Sequence, residues 1–207
     1  MAGRWLFGDK AFQSGQVTLI NNAIQAEKFS FSEKDRDSLR KELGWENKTV
    51  IGHVGRFDIP KNHDRMLDIF QQIVSEKKDV MLCLVGPKEG LYKEIKEKTV
   101  QKGLEDKVYF AGKQENIRRY LSAMDVFLAN GLACVMSEAV SEEAVVFPER
   151  VRRLSLDRDN IQWAAAVMAM SSMNREAADL IKMRLSDAHF NIETEAKRLK
   201  DLYYHTR

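Results

Sequence analysis

The side chains best suited to chemistry in this 207-residue sequence converge on one short stretch, where Gly55-Arg56-Phe57 is followed by Lys61, Asn62 and His63. Asn62 is suited to cap a helix, and a helix start offers free N–H groups and a partial positive charge. The flat guanidinium of Arg56 and the ammonium of Lys61 beside it make a site fitted to a diphosphate rather than to a single carboxylate. The bland alternative is that both cations are solvated loop charges, and in isolation that reading is the better one. Position reverses it, because open parallel sheets bind ligands outside the carboxyl ends of their strands. Gly55 follows the apolar run Val50–Val54, Gly86 follows Val80–Val85, and Gly112 follows Val108–Phe110 by two residues. Glycine there lets backbone approach a ligand closely, although tight strand-to-helix turns favour it anyway. Three at one sheet edge point to a site.

Other reactive side chains read as structural. His53 lies inside a buried strand pattern and is expected to be a hydrogen-bonded core histidine, and His63 to shield the helix start. Cys83 and Cys134 both sit in apolar runs and read as small buried hydrophobes. No His or Cys spacing matches a zinc site, and there is neither a Ser-centred nucleophile elbow nor a Walker-type loop. No metal or cofactor is implied.

The elements that must position these residues follow from periodicity. Val17–Ile20, Val50–Val54, Val80–Val85, Val108–Phe110, Val126–Leu128 and Cys134–Met136 are too short for helices and suit strands buried on both faces. Ser32 caps an expected helix carrying Leu39 and Leu43 and stopped by Gly44. Asn62 caps a second with Leu67, Phe70, Ile73 and Val74 at helical spacing, and Leu91–Lys102 and Asn116–Met124 supply two more. Strand and helix in alternation predict an α/β fold, a Rossmann-like doubly wound parallel sheet with helices on both faces. From Asn160 onward the chain reads as helices only, which should flank or extend the sheet, with Met168, Met170, Met173 and Met183 as adaptable core packing. One place breaks the scheme. Only five residues, Ala129 to Ala133, separate Val126–Leu128 from Cys134–Met136, whereas a parallel crossover takes about a dozen. Either the two runs form an antiparallel hairpin, or they are not both strands, or a segment has been deleted or omitted.

Composition adds bounds. At 207 residues and 44% hydrophobic content, one globular domain spanning 1–207 is the expectation. The 33 basic and 31 acidic residues are mixed along the chain, so charge announces no nucleic-acid or membrane partner. The sequence holds neither a long apolar span nor a signal-like start, so a cytoplasmic location is expected.

Four motifs in order carry a family resemblance: Val50-Ile51-Gly52-His53-Val54-Gly55-Arg56-Phe57 with Lys61-Asn62-His63; Leu82-Cys83-Leu84-Val85-Gly86; Gly103-Leu104-Glu105-Asp106-Lys107-Val108-Tyr109-Phe110-Ala111-Gly112; and Ala123-Met124-Asp125-Val126-Phe127-Leu128. Together they resemble the C-terminal domain of family-four retaining glycosyltransferases, most nearly bacterial capsule and exopolysaccharide enzymes. The likeness covers nearly the whole chain, since Gly3 to Gly8 and Leu19 to Ile24 resemble the segment entering that domain. It implies the GT-B architecture, two Rossmann-like domains facing across a cleft, with this one holding a nucleotide-diphosphate sugar, UDP- or GDP-linked, as donor substrate. By the same resemblance Arg56 and Lys61, with Gly55, grip the diphosphate. The turn after Phe110-Ala111-Gly112 lines the nucleobase, so Lys113 and Gln114 are carried over, beside Gly86 and Gly112 of the same edge.

Departures limit what is implied. Members of the family continue after the Met-Asp-Val-Phe-Leu strand with a Pro-Ser loop, a Glu-Gly pair and a helix opening with a second glutamate, the acids engaging the sugar and the ribose. Here Leu128 runs through Ala129-Asn130-Gly131-Leu132 to the next apolar run, so no catalytic residue is assigned. Glu138, Glu142 and Glu143 lie beyond the gap and read as solvated or structural carboxylates. Met1 stands where an acceptor-binding domain should already have ended, so the chain is expected to be a fragment without turnover. The parent would transfer a hexose to a growing glycan in polysaccharide biosynthesis, peripheral at the inner membrane face, with the acceptor held by the missing domain. The exposed cleft face invites self-association. Two other readings stay open: a non-catalytic Rossmann-like binding or interaction module, and half of a sugar-nucleotide epimerase.

Overall fold

The computed structural model describes residues 2–128, 134–140, 142 and 145–205. In chain order its elements are α1 (Ala2–Gln13), α2 (Glu33–Leu43), β1 (Thr49–Val54), α3 (His63–Glu76), β2 (Val80–Val85), α4 (Tyr92–Gln101), β3 (Val108–Gly112), α5 (Ile117–Ala123), β4 (Val126–Leu128), β5 (Cys134–Ser137), β6 (Val151–Leu154), α6 (Asn160–Ser171), α7 (Ala178–Asp187) and α8 (Ile192–His205). They fall into two compact units, a larger one of Phe29–Glu176 and a smaller one of Met1–Lys28 with Ala177–Arg207.

The larger unit is built on a six-stranded sheet, order β3-β2-β1-β4-β5-β6, with every neighbouring pair parallel. Strand periodicity of two sorts its side chains to both faces. Ile51, Leu82, Leu84, Val126, Leu128 and Val135 meet Leu67, Phe70 and Ile73 of α3, Ile95 of α4, and Trp163 and Val167 of α6. Val50, Met81, Cys83, Val85 and Phe127 meet Leu39 of α2 and Tyr120 and Ala123 of α5. Both faces are therefore covered, which is why these strands read as continuous apolar runs.

The expected caps are in place. The Ser32 hydroxyl accepts from the Asp35 N–H at 3.1 Å and Gly44 ends α2, with its N–H bonded back to the last turn. Asn62 caps α3 and Asn116 caps α5. Both cysteines are buried, and burial pushes the Cys83 thiol pKa up.

Several expectations need correction. Val17–Ile20 forms no strand, and Leu19 and Ile20 are exposed, because β propensity without a paired neighbour gives no ladder. Two elements have no counterpart among the expected ones: α1, broken at Gly8, and β6, whose sequence Val-Arg-Arg-Leu lacks an apolar run. The runs at 126 and 134 are both strands and are parallel, not a hairpin. Only Phe127↔Cys134 and Leu128↔Val135 are in register, so β5 starts beside the end of β4 and runs on past it. The connection need only cross one strand spacing, about 4.8 Å, with a short descent. Five residues can reach roughly 17 Å, so the stagger makes so short a link compatible with a parallel pair. Residues 129–133, like Glu143, lie outside the described residues. Of the C-terminal helices α6 packs on the sheet, whereas α7 and α8 belong to the smaller unit. Met168 and Met170 join the core as expected, but Met183 is exposed.

In the smaller unit the Ile24 N–H donates to the Phe190 carbonyl at 2.8 Å and the Ile192 N–H to the Ile24 carbonyl at 3.0 Å, tying the N-terminal segment to the α7–α8 turn. Buried Glu195 there accepts from His189 and Arg198, which together hold its carboxyl below the usual range against the cost of burial. Among the described residues no helix is long and apolar enough to cross a membrane.

Candidate functional site

The carboxyl ends of β1, β2 and β3 lie side by side, and the hydrogen-bond ladder runs on into the turns. The Gly55 N–H donates to the Val85 carbonyl at 2.9 Å and the Gly86 N–H to the Gly112 carbonyl at 3.0 Å. This places the three glycine turns along one edge. Gly86 is needed for packing, since a Cβ there would sit 2.0 Å from the Gly55 carbonyl oxygen. Gly112 has φ +71°, and the Lys88 stem passes 3.5 Å from its Cβ position.

The segment after β1 doubles back. The Lys61 and Asn62 N–H groups donate to the Asp58 and Ile59 carbonyls at 3.0 Å, closing a 3-10 turn that contains Pro60. Asn62 then takes a left-handed conformation, φ 49°, and its side chain accepts the Arg65 N–H to start α3. The reversal brings the Lys61 stem to 3.5 Å from the Cβ position of Gly55. Phe57 pins the loop from below, stacking on His63 with ring centroids 4.6 Å apart and packing on Tyr92 and Phe110. Arg56 points outward, its side chain 80% exposed and 3.3 Å from Asp58. An ion pair that exposed holds the guanidinium weakly and leaves it free to turn to a ligand.

Two histidines lie beneath this edge, both almost fully buried. His53 Nδ1 is 2.8 Å from the Leu128 carbonyl oxygen. A carbonyl only accepts, so Nδ1 carries the proton and neutral His53 presents an unprotonated Nε2. Burial lowers the His53 pKa, and the Leu128 bond opposes that only in part. His63, whose ring stands edge-on to His53 at 5.1 Å, has its pKa lowered to about 4 by burial first and by repulsion from His53, when that ring is protonated, second. Neither His63 nitrogen has a hydrogen-bond partner among the described residues. Beside them opens a cavity of about 550 Å³, lined by His53, Lys61, Arg65, Leu128, Met136 and Trp163 among others.

Gly55 and Lys61 are thus in contact range, with Gly86 and Gly112 beside them and Arg56 at the rim. Lys113 is exposed. The Gln114 amide folds back to donate to the Ala111 carbonyl at 2.5 Å, two strands from Lys61. Lys88 and Arg65 escaped the sequence reading, although each follows a recognised feature, Gly86 by two residues and the Asn62 cap by three. The free Nε2 of His53 had no sequence signal, since only the tertiary bond to Leu128 fixes its tautomer. Glu142 is a solvated carboxylate, as expected, accepting from Arg153 at 2.7 Å while its side chain is 86% exposed.

A doubly wound parallel sheet of this order, with helices around it, is a Rossmann-like α/β domain of the kind found in GT-B enzymes. Residues 35–147 match the family Glycosyl transferases group 1, more than half of the chain, and the chain belongs to that family. EpsF of Bacillus subtilis (strain 168), a glycosyltransferase by name, is 28% identical over 220 residues, covering 98% of this chain and 57% of its own. The crystal structure of Anabaena HepE in complex with UDP and glucose superposes with TM-score 0.70 at 17% identity, over 96% of this chain and 61% of that one. The C-terminal domain of LpcC, a glycosyl transferase group 1 family protein from Francisella tularensis, gives TM-score 0.56 at 15% identity, over 83% of this chain and 97% of that domain. The chain therefore spans about 57% of its curated relative's length.

Proposed function

We propose that the chain is the donor-binding half of a retaining, family-four glycosyltransferase, cytoplasmic and of the exopolysaccharide or capsule type, which holds a nucleotide-diphosphate sugar for transfer to a glycan. The observation that carries this reading is the return of Lys61 to Gly55 at the start of a capped 14-residue helix, with Arg56 at the rim. Cations, free N–H groups and a helix dipole converge there on the place where a diphosphate would lie. The turn at Gly112 to Gln114 is two strands away, roughly 10 Å, a separation suited to base and diphosphate of one nucleotide. Near-complete coverage of the LpcC C-terminal domain supports the C-terminal assignment, and the UDP bound by HepE makes UDP the first nucleotide to try.

Charge developing on the leaving diphosphate would be stabilised by Arg56, Lys61 and helix N–H groups, a preorganised arrangement worth about 3 kcal/mol per donor. In this reading the chain binds donor without turning it over, because the acidic pair that family members carry after β4 has no counterpart in Ala129 to Ala133. The alignment to EpsF, at 220 residues, is longer than this 207-residue chain, so the relative holds residues with no equivalent here. The test is titration with UDP and GDP of the wild-type chain and of the Arg56→Ala/Lys61→Ala double variant. Loss of two charge-assisted contacts predicts binding weaker by roughly 100-fold with little change in stability. Unchanged affinity in the folded double variant would refute the assignment. Transfer or donor hydrolysis above background by the wild-type chain would refute the claim that it lacks turnover.

A further inference from the structure

We propose that His53 is a specificity-determining residue of this donor site, its Nε2 accepting a hydrogen bond from a hydroxyl of the transferred sugar. The inference rests on the donor-site reading above. His53 is 2% exposed, lines the cavity, and has no partner for Nε2 among the described residues. A buried polar atom without a partner is costly, so one that persists beside a cavity is matched to something that enters it. Nε2 faces the sheet edge: it lies 2.8 Å from the Cβ position of Gly55, and the Lys61 stem borders the same space at 3.5 Å. With no Cβ on Gly55, the space between Nε2 and the Lys61 stem is left open, and a ligand hydroxyl entering from the cavity would approach Nε2 there.

The tautomer sets the chemistry of that atom. With Nδ1–H committed to the Leu128 carbonyl, Nε2 can only accept. A phosphate oxygen has no proton to offer, and protonating this buried ring to suit one is disfavoured. A hydroxyl fits. The sheet order then says which hydroxyl. The proposed base turn is on β3, Lys61 and Gly55 follow β1, and the cavity continues on the other side toward β4 and β5. A nucleotide laid along that edge from β3 to β1 presents its sugar, not its ribose, to His53 and the cavity beyond.

The test compares UDP with UDP-glucose by calorimetry on the wild-type chain and two variants. His53→Asn keeps an amide donor near Nδ1 and deletes the acceptor, whereas His53→Gln carries an amide oxygen toward the place of Nε2. The expected result is that His53→Asn loses roughly tenfold in affinity for UDP-glucose and nothing for UDP, and that His53→Gln recovers most of the loss. Nitrogen-15 NMR of the wild-type imidazole gives a readout independent of variant folding, in which the Nε2 resonance shifts with UDP-glucose and stays put with UDP. Equal losses for both ligands, or an Nε2 resonance indifferent to UDP-glucose, would overturn the inference while UDP binding leaves the donor site standing. A wild-type chain that binds neither ligand would overturn both.

Discussion

The two halves of the sheet are built to different standards. β1, β2 and β3 are joined by α3 and α4, and β1 and β2 stay in register over six positions, Thr49↔Val80 to Val54↔Val85. β4 and β5 share two positions and are linked by five residues, and no α-helix lies between β5 and β6 among the described residues. The complete half carries the cations and the glycine turns. By the family resemblance, acids that engage the sugar would belong to the sparse half. A strand–helix–strand unit fixes the direction of each turn at its carboxyl edge, so the placement of Arg56 and Lys61 does not depend on the chain beyond β4.

The seam between the halves offers the largest expected effect. Asp125, just before β4, accepts from Arg36 at 2.5 Å, from Arg40 at 3.1 Å and from the Val50 N–H at 2.8 Å, while Arg40 is buried. Asp125→Ala strands a buried guanidinium and should cost about 4 kcal/mol in urea denaturation. A loss under about 1 kcal/mol would mean that this cluster does not join β1 to β4.

Next comes acid. The unfolded chain protonates His63 near pH 6.5, whereas the folded one resists until about pH 4. Between those values the unfolded state binds the extra proton, so stability falls as pH drops from 6.5 to about 4 and levels off below. The gap corresponds to about 3 kcal/mol, and His63→Phe should reduce that slope, leaving the part that His53 contributes. An unchanged slope in the variant would assign the acid sensitivity elsewhere.

Within the complete half, Gly86→Ala drives a Cβ against the Gly55 carbonyl and should cost about 2 kcal/mol while weakening UDP binding. A neutral outcome would mean that this edge yields more easily than its ladder suggests. Hydrogen exchange should show β5 and β6 opening at a free energy about 2 kcal/mol below that of β1 and β2. Uniform protection would erase the distinction between the halves.

Much of the complete half was legible in the sequence, because β1 to β3 are apolar runs and their helices begin at Ser32, Asn62 and Asn116 and carry apolar stripes. The stagger of β4 on β5 was not, since a rule on crossover length says nothing of how far two strands overlap. Val17–Ile20 misled for a related reason: propensity is local, and a strand is a pairing. Among the candidate site residues, Lys61 and Arg56 were singled out by their place between a strand end and a cap. His53 was readable only as a core histidine, because the atom that gives it a further role depends on a bond to Leu128, 75 residues away.

Donor binding is tested by a calorimetric titration of the wild-type chain with UDP. Saturable binding at one site per chain is expected, weakened roughly 100-fold in the Arg56→Ala/Lys61→Ala variant. A folded chain that gives no binding heat with UDP or GDP would contradict it and would favour a Rossmann-like interaction module over a donor-binding half.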